Sequence, residues 1–197
     1  YDLLNEPIPH FYNTEQLNPL LEPLYKRITS AIRAIDKTHL IFLGGAQWDT
    51  NFRVFGAPFD EKLVYTFHKY WSDPTQVQDY IGFGSKHNVP LWMGESGENS
   101  NEWIDTFRVV LEANSIGWCF WPYKKMKATS CPVTFAQPED YAEIIKFANK
   151  PRATFEELRT RRPQMEKVKK ALAQVLENCK FKNCTPNAGY LKALGLR

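Results

Sequence analysis

Two carboxylates in the chain carry the types and surroundings needed for bond-splitting chemistry. Glu6 lies in Leu4-Asn5-Glu6-Pro7 and Glu95 in Trp92-Met93-Gly94-Glu95-Ser96, each where a short apolar run gives way to a loop. One carboxyl that keeps its proton and one that stays ionised, brought together from different strand ends, are what glycosidic bond cleavage requires. Retention of configuration calls for the two groups about 5 to 5.5 Å apart, so the long stretch of chain between them must be folded back on itself.

The elements that could do this are legible as alternating runs. Leu3-Leu4 ends at Asn5-Glu6-Pro7. Leu24, Ile28, Ala31, Ile32 and Ile35 then recur at helical spacing, and Pro19 and Pro23 ahead of them suit a helix start. Strand-like runs follow at residues 40–43, stopped by Gly44-Gly45, and at residues 63–67. Asp73-Pro74 introduces a helix over 75–87, and Pro90-Leu91-Trp92-Met93 is a fourth strand. Trp103, Phe107, Val110 and Leu111 mark one face of the next helix, and residues 116–121 read as a fifth strand.

Strand and helix in alternation imply a parallel sheet covered by helices, either an open doubly wound sheet or an eight-stranded barrel. The strand ends favour the barrel. Asn5 and Glu6, Trp48, His68 and Tyr70, Glu95, and Trp121 each follow or end a run, and only a closed barrel gathers such ends at one mouth. His68 and Tyr70 are two apart and share a face of an extended chain. There is no Gly-rich phosphate loop to support a nucleotide fold.

Composition narrows the classes further. The 197 residues are 43% hydrophobic and 14% aromatic, enough for one sizeable core, and the net charge of +3 is too dispersed for a nucleic-acid face. No run of about 18 apolar residues is present to span a membrane. His10, His39, His68 and His87 are scattered, and Cys119, Cys131, Cys179 and Cys184 form no short-spaced pair of zinc type, so no metal or other cofactor is expected. Cys179 and Cys184 are compatible with a small disulfide or with two free thiols.

Leu4-Asn5-Glu6-Pro7, His68-Lys69-Tyr70, Gly94-Glu95 and Gly117-Trp118 through Trp121, in that order, resemble the later part of a family 5 glycoside hydrolase, a retaining cellulase-like TIM (β/α)8 barrel. The resemblance covers roughly residues 1–150. It implies that Glu6 is the general acid/base and Glu95 the nucleophile, that Asn5 binds the 2-hydroxyl of the sugar being cleaved, that His68 and Tyr70 bind sugar or orient the acids, and that Trp121 is the platform under the ring. Trp48 is a candidate for a neighbouring subsite, and Trp118 is assigned to the core.

In that family the acid/base glutamate ends the fourth strand, so the chain corresponds to strands four to eight with their helices. Residues 1–178 are read as the C-terminal part of one catalytic barrel and 179–197 as a tail. Met165, Val168, Leu172, Val175 and Leu176 recur at helical spacing after Pro163 and suit an outer helix, and residues 128–151 an irregular loop with a short helix. Five strands cannot close the barrel, and a complementary chain or segment is expected to complete it. An isolated monomer of these residues is expected to be inactive or poorly folded. The expected activity is endo-acting hydrolysis of cellulose or another β-glucan by a secreted or periplasmic protein. The rival class is a non-catalytic carbohydrate-binding or scaffold remnant of such a barrel.

Overall fold

Asn13 starts the first helix, α1 (Thr14–Arg33): its side-chain oxygen accepts the Gln16 N–H at 3.2 Å, and Leu17 N–H donates to the Asn13 carbonyl at 3.1 Å. The first turn is therefore closed before either proline, and Pro19 and Pro23 lie inside the helix. This corrects the expected start behind them. Each proline deletes one backbone bond and strains the turn before it. The face that compensates carries Leu21, Tyr25 and Thr29, all buried. The expected apolar stripe is not that face: Ile35 lies beyond the helix and is 92% exposed.

The computed structural model describes residues 1–151 and 154–196, and the chain in it forms two units. The first comprises Tyr1–Trp121 together with the segment from Lys192 onward. Its sheet runs β1 (Ile41–Gly44), β2 (Leu63–His68), β3 (Leu91–Gly97), β4 (Gly117–Trp121), every neighbouring pair parallel. Residues 1–3 extend it beyond β1: Phe42 N–H donates to the Tyr1 carbonyl at 2.7 Å and Leu3 N–H to the Phe42 carbonyl at 3.3 Å. Spatial order follows chain order with no reversal, the winding of a barrel wall and not of a doubly wound sheet.

One face of this sheet is sealed by aromatic rings. Tyr65 and Phe67 point from β2 into a cluster with Phe52, Phe55 and Phe83, and Phe67 stacks on Tyr80 at 4.0 Å. The short left-handed turn α2 (Ala46–Asp49) follows β1, and Tyr80 and Phe83 belong to the next helix, α3 (Gln78–His87), the helix expected after Asp73-Pro74. Helix α4 (Asn101–Ala113), capped by Ser100, buries Ile104, Phe107 and Leu111, with Phe107 edge-on to Phe120 of β4. Arg108 ties the returning end of the chain to α4, donating from Nε to the Ala193 carbonyl at 2.9 Å.

The second unit, Pro122–Leu191, holds a small sheet of β5 (Lys124–Met126), β6 (Val133–Phe135) and β7 (Thr185–Pro186). Residues 128–151 thus contain a strand as well as the helix α5 (Tyr141–Ala148). The amphipathic segment after Pro163 forms α7 (Met165–Asn178), following α6 (Phe155–Arg161), and meets α5 through Lys167 and Glu143 at 3.0 Å. Asn187 donates to the Ala128 and Cys131 carbonyls, fixing the approach to β7. All four cysteines are free, so Cys179 and Cys184 are not bonded to each other. Among the described residues no helix is long and apolar enough to cross a membrane.

Candidate active site

The C-terminal ends of β2 and β3 set the site. Their pairing is regular through Thr66–Trp92 and Phe67–Met93, then His68 pairs with Glu95, leaving Gly94 as an extra residue. This bulge turns the Glu95 side chain towards the strand end that carries His68 and Tyr70. Glycine is required there: a Cβ at position 94 would lie 2.4 Å from Thr66 Oγ1 and 3.2 Å from His68 Nε2. The loop after β2 is held by Asn99, which donates to the Tyr70 carbonyl at 2.9 Å, and by Trp103, whose indole N–H donates to the Ser72 carbonyl at 2.8 Å.

On the other side, Glu6 and Ile8 have φ of 48° and 56°, and Gln47, Trp48 and Asp49 have φ of 52°, 59° and 59°. Left-handed backbone at non-glycine residues costs about 1 kcal/mol or more each, so these loops need fastening. Gln47 supplies it. Buried at 5% exposure, it exchanges amide hydrogen bonds with Asn18 on α1 (2.9 and 3.3 Å), accepts from the Asn51 amide at 2.7 Å, and donates its backbone N–H to the Ile8 carbonyl at 3.0 Å. Gln47→Ala is expected to destabilise the fold by about 2–4 kcal/mol, because it leaves buried amide partners unpaired. Urea denaturation of the variant measures this.

At the centre, His68 Nδ1 lies 2.9 Å from Glu6 Oε1 and 3.6 Å from Glu95 Oε2. One such atom each from Glu6, His68 and Glu95 falls within 4.8 Å of the others. The Tyr70 hydroxyl donates a short hydrogen bond to Glu95 Oε1. Burial, that bond and the negative charge of Glu95 push the Tyr70 phenol well above its ordinary range, so it stays a donor. The His68 ring is buried, while the side chains of Glu6 and Glu95 are 30% and 22% exposed. The two carboxylates are therefore far more open to solvent and ligand than the imidazole.

Behind the ring sits Asp49, buried at 1% exposure, with Oδ2 3.3 Å from His68 Nε2. Burial, offset in part by the Glu6 backbone N–H and reinforced by nearby acids, pushes its carboxyl up to about 8. A Cβ on Gly44 would come within 2.2 Å of Asp49 Oδ1, so the carboxyl is seated directly on β1. A folded-state value above the unfolded one means that the native state binds the proton more tightly. Its stabilising contribution is full at acid pH and fades as pH rises from about 4 towards 8, at up to about 1.4 kcal/mol per pH unit. The stability of Asp49→Asn is expected to lack this decline, which unfolding at a series of pH values will show.

A cleft of about 720 Å3 opens over these groups, lined by Glu6, His68, Tyr70 and Glu95 and walled by Trp48 and Trp71. Trp48 is 39% exposed, its ring edge-on to His10 at 4.9 Å. Trp121, 44% exposed, lies edge-on to Tyr70 at 6.4 Å, next to the cleft though not in its lining. Asn5 is exposed and also outside that lining. Trp118 is half-buried on β4 against Phe120. The sequence did not mark Asp49, Lys69 or Trp71 as site residues. Trp71 follows Tyr70 directly and could have been found as an aromatic in a strand-end loop, whereas nothing in the sequence distinguishes Asp49 from a solvated loop acid.

The sequence profile described as Cellulase (glycosyl hydrolase family 5) matches residues 1–127. The chain belongs to that family, whose members are TIM-barrel glycoside hydrolases. None of the curated proteins matches it. Among solved structures it is similar to a triple variant of the endo-β-1,4-glucanase of Xanthomonas axonopodis pv. citri, at 17% identity and a TM-score of 0.52 over 64% of this chain and 50% of that one. It is similar to the cellulose synthase subunit Z of Clostridioides difficile, at 20% identity and a TM-score of 0.50 over 61% and 52%. A protein from Cytophaga hutchinsonii matches at 21% identity and a TM-score of 0.53 over 72% and 48%. The chain spans about half the length of each of these structures, and at such identities the likeness concerns the fold.

Proposed function

We propose that these residues form the catalytic centre of a retaining glycoside hydrolase acting on a β-linked glucan, with cellulose first among the candidates and endo cleavage as the mode. The observation that carries the reading is the meeting of Glu6 and Glu95 with carboxylate oxygens no more than 4.8 Å apart. That spacing suits direct attack by one carboxylate on the anomeric carbon and leaves no room for the water that an inverting pair, about 6.5 to 9.5 Å apart, must hold between them.

Glu95, oriented by the Tyr70 hydroxyl, attacks the anomeric carbon as a carboxylate while Glu6 gives its proton to the departing glycosidic oxygen. The glycosyl ester on Glu95 is then hydrolysed by a water that Glu6, now a carboxylate, deprotonates. Asn5 is proposed to bind the 2-hydroxyl as charge develops at the ring. Trp121 offers the apolar face on which a pyranose ring stacks, and Trp48 and Trp71 extend the cleft to neighbouring sugars. A polymeric substrate does not enter cells, so an extracellular or periplasmic site of action fits.

The strands are assigned as four to eight of the barrel. Phe42 and Trp92 meet edge-on at 6.2 Å on the inner face of the sheet and are only half-buried, and Cys119 beyond them is exposed. We read that face as covered by further strands, from the same or a complementary polypeptide. The test is release of reducing ends from β-1,4-glucan with the product followed by proton NMR. The reading predicts that the β-anomer appears first and mutarotates later, and initial formation of the α-anomer contradicts it.

A further inference from the structure

We propose that Asp49 is a positioning residue that holds, behind His68, the proton used by Glu6. This rests on the hydrolase reading above and adds to it a residue with no contact to substrate. The three groups form a line: Asp49 Oδ2 is 3.3 Å from His68 Nε2, and His68 Nδ1 is 2.9 Å from Glu6 Oε1. The ring is clamped between the two carboxyls and is buried, so its nitrogens trade protons with them and not with solvent.

Asp49 is fitted for a store in ways that a structural aspartate would not need. It is 1% exposed, and its Oδ1 is buried without a hydrogen-bond partner. The charged groups that face it are mostly of the same sign: Glu6, Asp2 on the edge strand and Glu95 on β3, with the Tyr25 hydroxyl from α1 and Tyr80 from α3 also near. A carboxylate there is repelled on several sides, and a carboxylic acid is favoured. The His68 imidazole from β2 is the group through which its proton can leave.

The transfer balances. In one arrangement Asp49 is protonated and donates to Nε2, His68 carries its proton on Nδ1, and Glu6 is a carboxylate. Two protons each move one place. Asp49 becomes a carboxylate, His68 carries its proton on Nε2, and Glu6 becomes the carboxylic acid required for the first chemical step. The net charge of the three groups is unchanged, and neither solvent nor another reactant is needed. Having given that proton to the leaving oxygen, Glu6 is the carboxylate that takes a proton from water in the second step, and the same line run backwards then returns it to Asp49.

The test compares Asp49→Asn, which keeps the shape and cannot release a proton, with the parent protein. For an unactivated β-glucan the alkaline limb of kcat/KM is expected to move down by about one pH unit or more, with turnover at neutral pH reduced at least about tenfold. A dinitrophenyl glycoside, whose leaving group needs no proton, is expected to be cleaved within about twofold of the parent rate. A limb that stays in place, or an equal loss on both substrates, overturns the proposal. Glu6→Gln is run alongside: if it shows no dependence on the leaving group, the hydrolase reading itself has failed, and not Asp49 alone. Should Asp49→Asn fail to fold, the wild-type chain still decides. By NMR the Asp49 carboxyl carbon is expected to titrate well above the ordinary carboxylate range, with the His68 ring proton on Nδ1 while Asp49 is protonated and on Nε2 once it is not. A His68 tautomer that does not change with the Asp49 carboxyl, or an Asp49 carboxyl titrating in the ordinary range near 4, overturns it.

Discussion

Glu95→Gln is expected to lower turnover on every glycoside by at least about 10⁴-fold, a loss of about 5.5 kcal/mol in transition-state stabilisation. The amide keeps the size of the carboxylate and still accepts the Tyr70 hydroxyl, so the site around it should survive. What disappears is the proposed nucleophile. With no covalent ester, the reaction loses the step that divides one difficult displacement into two easier ones. The affinity for oligosaccharide is expected to remain, since the cleft walls Trp48 and Trp71 are untouched. Calorimetric titration with cellopentaose against the inactive variant checks this. A variant that still turns over at more than about a hundredth of the parent rate would remove Glu95 from the role.

The second large effect is selective. Replacing Glu6 by Ala or Gln removes the proposed proton donor, so cleavage of glucans and other poor leaving groups is expected to fall by about 10²–10⁴-fold. The first step with an activated aryl leaving group should be nearly spared. Such substrates then accumulate as the ester on Glu95, because the water that should attack it has lost its base. Azide needs no deprotonation and should restore turnover in Glu6→Ala, yielding the β-glycosyl azide. Rescue at Glu6 and not at Glu95 would separate the two roles by chemistry alone. Failure of azide to accelerate Glu6→Ala would count against the acid/base assignment.

Much of this arrangement could be read from the residues. His68 and Tyr70 are two apart at the end of an apolar run, and Glu95 follows another, so strand alternation and strand ends announced which side chains would meet. Parallel pairing follows from the same alternation, and its chain order from the barrel that the strand ends favoured. Other features were hidden because they depend on tertiary packing. Pro19 and Pro23 read as a helix start, yet the Asn13 cap and burial of Leu21 and Tyr25 outweigh the strain of holding both inside α1. The bulge at Gly94, which orients Glu95, exists only relative to β2. Asp49 follows an exposed tryptophan in a polar stretch, and only the left-handed turn over Gln47, Trp48 and Asp49 swings it under the imidazole of His68. Gln47 likewise gains its meaning from Asn18 and Asn51, partners that no local pattern links to it.

The two carboxylates are not interchangeable in this site. Tyr70 donates to Glu95, whereas Glu6 faces an imidazole nitrogen that either accepts or supplies a proton. On the proposed reading, that asymmetry decides which glutamate becomes covalently linked to sugar. The most direct measurement is therefore to treat the protein with a 2-deoxy-2-fluoro-β-cellobiosyl fluoride, whose ester forms faster than it breaks down, and to locate the label by peptide mass spectrometry. The account predicts a single adduct, one fluorocellobiosyl group on Glu95. An adduct on Glu6 or on another residue, or hydrolysis with inversion and no adduct, would contradict it.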